Sequence, residues 1–235
     1  MSGNPVQVQS TVFAPEVAVL RTARGSMTNY NYLVTDPASR RAVLVDPAWQ
    51  MDVIEQAVAD AGAVLDGILL THAHPDHIDL ARPLAQKYAC PLWMSRQEIA
   101  ASGFRAPELV GIDESAWWVG QMLVKPLLTP GHTPGCVCWL IGDNLFSGDV
   151  LFAEGCGICP NVDAAHQMFD SLQRLKRELR PQTRIWPGHS FGKAPGQLFA
   201  DVLQENIYLQ FRERQGFAAF RLRPGQSRAK LFTFH

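Results

Sequence analysis

Short apolar runs alternate with helical stripes along this 235-residue chain. Residues 17–21, 30–34 and 42–45 have the β-rich pattern of a strand meander, with Asp36-Pro37 as a turn signal. Val53, Ile54, Ala57, Val58 and Ala61 recur at helical spacing and predict a helix. Residues 65–71 form an apolar run ending in a polar loop, which predicts a buried strand; residues 78–88 predict a helix stopped near Pro91. The second half repeats the theme, with strands at 122–128, 137–141, 144–146 and 184–186. Between them Ala165, Met168, Phe169, Leu172, Leu175 and Leu179 form a clean helical stripe before Pro181. Residues 198–211 look helical, and no period is legible from Gly216 onward. Strand groups separated by helices, twice over, predict two sheets packed together with helices outside. No linker is long enough to separate two independent domains.

Composition narrows the function. Hydrophobic residues make up 47% and charged residues 18%, an ordinary globular balance that argues against disorder. The net charge of -1 gives no pull toward nucleic acid or an anionic membrane. No apolar run reaches the roughly 18 residues of a spanning helix. The first ten residues lack the basic start and apolar stretch of a secretory signal, so the expectation is a cytoplasmic protein whose five cysteines are free thiols. Nothing in the pattern sets an oligomeric state.

The histidines carry the chemistry. Residues 71–77 read Thr-His-Ala-His-Pro-Asp-His, directly after the strand predicted at 65–71. His72 and His74 can point the same way in extended backbone, and Asp76 and His77 fall where a helix begins. Residues 129–135 place His132 in a Thr-Pro-Gly-His-Thr-Pro-Gly turn. Asp149 sits in Ser-Gly-Asp-Val-Leu, and His189 in Pro-Gly-His-Ser. Each is a ligand-capable side chain on a glycine-containing turn at a strand end. Five of the seven histidines obey this grammar, and imidazoles mixed with carboxylates suit zinc and similar borderline metals.

In order, spacing and flanking glycines this set resembles the metallo-β-lactamase superfamily, over roughly residues 12–195. The resemblance implies a four-layer αββα sandwich of the α/β (α+β) class, with metal at one edge. Residues 196–235 would form a C-terminal helix and basic tail packed on that catalytic domain. It also implies two divalent ions, zinc first, with iron or manganese as alternatives. His72, His74 and His132 would hold one, Asp76, His77 and His189 the other, and Asp149 would bridge them. An aspartate there resembles the glyoxalase II branch, not the branch with a cysteine ligand that opens β-lactams. Asp46, in Val-Asp-Pro, resembles the family aspartate that orients a ligand imidazole through its other ring nitrogen. The implied reaction is attack of a metal-bridging hydroxide on a carbonyl, with Asp76 orienting the nucleophile. A thioester's leaving thiolate, with a pKa of roughly 8–9, needs no general acid. The sequence has no Gly-x-Ser-x-Gly nucleophile elbow.

Substrate is a separate question, because one fold hosts many activities. In glyoxalase II a Lys and a Tyr hold glutathione where Ile158 and Pro160 stand here. Losing that cationic partner removes a charge-assisted contact of about 1.5–3 kcal/mol. Residues 154–159 (Glu-Gly-Cys-Gly-Ile-Cys), 168–172, 187–192, 45–49, 102–105 and the terminal 231–235 together resemble the zinc-dependent acyl hydrolases of trans-acyltransferase polyketide synthase clusters. That resemblance implies hydrolysis of acyl groups from the phosphopantetheine arm of an acyl carrier protein, which clears stalled assembly lines. Three alternatives remain: a hydroxyacylglutathione hydrolase, a mononuclear iron persulfide dioxygenase, and a metal-stabilised carrier-protein binder with little turnover.

From Asn206 onward six basic residues stand against one acid, Glu213. Arg212 and Arg214 are therefore candidate docking residues for an acidic carrier protein, with a solvated basic tail as the plain alternative. Cys156, Ile158 and Cys159 are expected to line the substrate pocket, and Trp118 to border its entrance. The plain alternative for Trp117-Trp118 is a strand with one ring buried. Cys90, Cys136 and Cys138 are expected in the core, and His166 and His235 away from any metal.

Overall fold

The computed structural model describes residues 14–225. The first half builds one sheet from β1 (Glu16–Arg24), β2 (Met27–Thr35), β3 (Arg41–Val45), β4 (Val64–Leu69), β5 (Leu92–Ser95) and β6 (Leu109–Ile112), adjacent in that order. Its helices are α1 (Met51–Asp60), α2 (Pro75–Ile78), α3 (Ala81–Tyr88) and α4 (Arg96–Ser102). The second sheet takes β7 (Trp117–Val119), β8 (Met122–Leu128), β9 (Val137–Ile141), β10 (Asn144–Gly148), β11 (Arg184–Pro187) and β12 (Gln197–Leu198), in the order β12-β11-β10-β9-β8-β7. The later helices are α5 (Val162–Glu178), α6 (Phe199–Glu205) and α7 (Arg214–Arg221), with a 3-10 turn at Ile207–Leu209.

Side-chain alternation sorts the core into three layers. Tyr32, Val34, Val43, Val45 and Leu69 face the other sheet, where they meet Val124, Val137, Trp139, Ile141 and Phe146. The intervening Leu33, Ala42, Leu44 and Ile68 face α1 and α3 and pack on Ile54, Val58 and Leu84. Cys138 and Leu145 face outward onto Met168, Leu172 and Leu175 of α5, and Phe217 and Ala218 of α7 join them. Central strands buried on both faces read as continuous apolar runs. The result is the expected αββα sandwich.

Parallel pairing places the functional residues. β3 runs parallel to β4, and β10 parallel to β11. Asp46, the 70–77 loop, Asp149 and His189 thus emerge from the carboxyl ends of these strands at one edge. The helix expected at 78–88 is two pieces, α2 and α3, and the region 198–211 breaks into β12, α6 and the 3-10 turn. The segment without a legible period contains α7, a helix of two turns whose stability comes from packing on α5. No described helix is long and apolar enough to cross a membrane. The N-terminal ten residues, Arg228, Lys230 and the 231–235 motif lie outside the described residues.

Candidate metal centre

His72 and His74 follow β4 in extended backbone, and α2 opens at Pro75, whose fixed φ suits the first helical turn. That switch from strand end to helix places Asp76 on a different backbone element from His72 and His74, while the His77 ring packs against His72 with centroids 4.1 Å apart. His132 comes from the turn after β8, Asp149 from the end of β10 and His189 from the end of β11. Two clusters form. Nδ1 of His74 lies 3.0 Å from Nε2 of His72 and 3.0 Å from Nε2 of His132. Asp76, His77 and His189 form the second cluster, with Asp76 Oδ2 at 3.3 Å from His189 Nε2 and 3.6 Å from His77 Nε2.

Asp149 lies between the clusters. Its Oδ2 is 3.6 Å from His132 Nε2, and its Oδ1 is 3.5 Å from His77 Nε2 and 3.6 Å from His189 Nε2. His77 Nε2 and Asp149 Oδ1 are buried and have no hydrogen-bond partner. Orphaned polar atoms that converge on one point are expensive unless a ligand satisfies them. Ring nitrogens and carboxylate oxygens facing inward are the donor set a divalent cation takes, so the residues present fit the implied metals.

The imidazoles are oriented from behind. His77 Nδ1 lies 2.9 Å from Asp46 Oδ2, His132 Nδ1 donates to the Ile158 carbonyl at 2.8 Å, and His189 Nδ1 donates to the Thr28 carbonyl at 3.1 Å. Thr71 donates its hydroxyl to Asp46 and thereby accepts from His72 Nδ1 at 3.0 Å. In each of these rings the contact at Nδ1 aims Nε2 into the centre. Asp46 reaches this position in left-handed backbone, with φ at 48°. That conformation is uncommon outside glycine but tolerated by aspartate, and it costs strain that its contacts offset. Gly188 is required by close approach, since a Cβ there would lie 2.5 Å from the His77 ring.

Electrostatics follow the geometry. Burial lowers His72 well below the ordinary imidazole range, and the neighbouring histidines push the same way. Burial opposes charge on His77, but Asp149 and the bond to Asp46 outweigh it and raise the group to about 9. Burial acts against the Asp76 and Asp149 carboxylates as well, yet the adjacent imidazoles hold both below the usual carboxylate range. The carboxylates stay ionised and supply negative charge to the centre.

The centre opens into a cavity of about 430 Å³. Met27, Pro134, Phe152, Ile158, Pro160 and Phe191 form its apolar walls, and no described Lys or Arg lines it.

Comparison with known proteins places this geometry. Residues 25–189 match the Metallo-beta-lactamase superfamily. The chain belongs to that superfamily. It is 40% identical over 213 residues to "Probable polyketide biosynthesis zinc-dependent hydrolase PksB" of Bacillus subtilis, covering 90% of this chain and 95% of that one. It matches BaeB of Bacillus velezensis, of the same description, at the same identity and coverage. A hydroxyacylglutathione hydrolase of Synechococcus is 34% identical over 80% of this chain and 73% of its own. Among solved structures, ETHE1 from Myxococcus xanthus superposes with a TM-score of 0.77 at 29% identity, over 92% of this chain and 94% of that one.

Against this superfamily frame, the structure brings His72, His74, His132, Asp76, His77, Asp149 and His189 together, with Asp46 behind them. Cys156 and Ile158 line the cavity. Cys159 is buried beside them but does not line it. All five cysteines are free and buried. Trp118 is a correction: it sits on edge strand β7, 66% exposed, on the outer side of the second sheet and away from the cavity. Trp117, its neighbour, turns inward and packs on Trp93 and Trp139. Arg212 is exposed, while Arg214 makes a two-pronged pair with Asp170. The basic tail is also smaller than its sequence suggests, because Arg221 is buried and donates Nε to the Gly157 carbonyl at 2.7 Å. Thr71, Met27, Phe152 and Phe191 join the site although no motif singles them out. Thr71 stands next to His72 and could have been flagged by that adjacency; the apolar wall residues carry no local signal.

Proposed function

We propose that the chain is a metal-dependent thioesterase that cleaves acyl groups from the phosphopantetheine arm of acyl carrier proteins in polyketide biosynthesis. The observation that carries the chemistry is Asp149, whose two oxygens face two separate ligand clusters. Two divalent ions held there, by His72, His74 and His132 on one side and Asp76, His77 and His189 on the other, would supply an activated water and polarise the carbonyl. Asp76 is ionised and partly accessible, so it can orient that water by accepting a hydrogen bond at a carboxylate oxygen. The nitrogen-to-oxygen contacts behind His72, His77, His132 and His189 hold those rings in orientation during turnover.

The cavity wall supports an acyl substrate without a charged headgroup. Ile158 and Pro160 present no side-chain donor, and no described cation lines the pocket to meet a glutathione carboxylate. The polyketide-associated relatives support the same reading by their names. A short apolar acyl group would lie against Phe152, Ile158 and Phe191, with the thiol arm leaving through the mouth.

The test is mass spectrometry of an acetyl-loaded acyl carrier protein after incubation with the enzyme, with lactoylglutathione in parallel and metal content measured on the same sample. The expected result is loss of the acetyl group, two zinc ions per chain and slow glutathione-ester turnover. An untouched carrier protein with fast lactoylglutathione hydrolysis would move the chain to the hydroxyacylglutathione branch. One iron per chain with neither activity would point to persulfide oxygenation. Asp149→Ala should abolish turnover; full activity in that variant would refute the two-metal assignment.

A further inference from the structure

Glu98 lies far from the metal ligands in sequence and outside the cavity wall, yet its carboxylate is 2% exposed and satisfied by three donors from two ligand loops. One oxygen accepts from the backbone N–H of Ala73 at 2.9 Å. The other accepts from the Thr133 hydroxyl at 2.6 Å and the Gly135 N–H at 3.1 Å. Ala73 separates His72 from His74, and Thr133 follows His132. One buried carboxylate therefore ties together the two loops that carry the three-histidine cluster.

The local sequence makes this departure visible. Ser95 caps α4 and accepts from the Glu98 N–H at 2.9 Å, so Ser95 and Glu98 occupy the two ends of a capping-box pattern. In a capping box the glutamate at that position reaches back to the capping residue's own N–H. Here it is turned instead toward Ala73, Thr133 and Gly135. Ser95 reinforces the same junction by donating its hydroxyl to the Gly135 carbonyl at 2.6 Å. Gly135 is held so close to α4 that a Cβ would lie 2.0 Å from the Glu98 nitrogen. A local rule given up for a long-range contact marks a constraint imposed by function or by fold uniqueness.

We propose that Glu98 is a positioning residue for the three-histidine half of the centre, setting the spacing of His74 and His132 before metal arrives. This rests on the two-metal reading above. Its chemistry is specific to a carboxylate. A glutamine keeps the shape but turns an amide N–H₂ toward at least one N–H donor, which breaks that bond and leaves a donor unpaired. The other cluster, Asp76, His77 and His189, is held through Asp46 and Thr28, whereas the donors to the Glu98 carboxylate come from the loops of the three-histidine cluster, so the effect should be one-sided.

The experiment compares Glu98→Gln with the wild-type zinc-loaded protein by the rate of zinc release to a chelator and by the absorption spectrum after cobalt substitution. His74→Ala supplies the signature of a lost three-histidine site. The expected result is one zinc released about tenfold faster, within the range found when residues behind metal ligands are altered. The second zinc should be retained, and the cobalt spectrum should shift toward that of His74→Ala. Thr133→Val, which removes a single donor and keeps the volume, should shift the same site in the same direction by less, and carries the test if Glu98→Gln does not fold. Unchanged release from both variants, or equal acceleration of both zincs with a fall in melting temperature, would overturn the positioning role. A wild-type protein that binds no metal pair would instead overturn the proposed function, and this inference with it.

Discussion

His77 Nδ1 lies 2.9 Å from Asp46 Oδ2, and both side chains are buried. The same carboxylate accepts from the Thr71 N–H at 2.7 Å and from the Thr71 hydroxyl at 2.6 Å, so it orients His77 directly and His72 through one hydroxyl. One residue behind the site thus sets an imidazole in each ligand cluster. Asp46→Asn keeps the volume but puts an amide donor against Thr71 or His77. Zinc affinity should fall about 10–100-fold with the fold retained. Chelator competition with a circular-dichroism control measures this, and an unchanged affinity would rule out the orienting role.

The metal-free protein should have a stability maximum near neutral pH. His77 is raised to about 9 when folded, and His189 is raised too, both by the surrounding aspartates against the cost of burial. Groups raised on folding stabilise fully below their unfolded value of about 6.5, and that contribution is lost as pH climbs to about 9. His72 and His74 are lowered on folding, first by burial, so stability is also lost as pH falls below about 6.5. Melting temperatures in excess chelator from pH 5 to 9, roughly the span over which these groups titrate, should trace a dome. Zinc loading should flatten its alkaline side, because metal displaces the His77 proton. A flat curve without metal would contradict the charge state assigned to the centre.

Ile158 and Pro160 line the cavity without offering a side-chain donor. Replacing them together, Ile158→Lys with Pro160→Tyr, should raise kcat/KM for lactoylglutathione about tenfold or more, the equivalent of one charge-assisted contact of about 1.5–3 kcal/mol. Hydrolysis of acetyl-loaded carrier protein should fall. Steady-state kinetics on both substrates decides it, and no change in their ratio would mean that the 156–160 wall does not select the thiol.

Arg212 is exposed, and Arg214 is locked to Asp170 across an exposed pair in which each side chain is about half accessible. Exposed pairs contribute little to stability, so charge can be altered here without unfolding the chain. Reversing Arg212 and Arg214 together should raise KM for carrier-protein substrates several-fold, mostly through association rate, and leave a small acyl thioester unaffected. The effect should shrink at high salt. Equal changes for both substrates would remove the docking role.

The chain's own pattern determined the chemistry. Apolar alternation predicted the sheets, glycine-rich turns marked strand ends, and seven ligand-capable side chains stood at those ends because each strand terminus offers a loop that can converge on one point. Tertiary structure decided which of them met. Parallel pairing of β3 with β4 and of β10 with β11 brought Asp46 to His77 and Asp149 between two clusters, across separations that no local periodicity encodes. It also moved residues that looked alike in sequence to opposite fates. Trp117 turned into the core while Trp118 faced solvent, because successive side chains on a strand point to opposite faces. Arg221, at the end of α7, was buried and reached the Gly157 carbonyl, while Arg212, two residues before that helix begins, stayed exposed. Glu98 fits a helix-capping pattern in sequence, and only the approach of two distant loops drew its carboxylate away from that local bond. Local physics sets what each residue can do, and long-range packing sets which partner it finds.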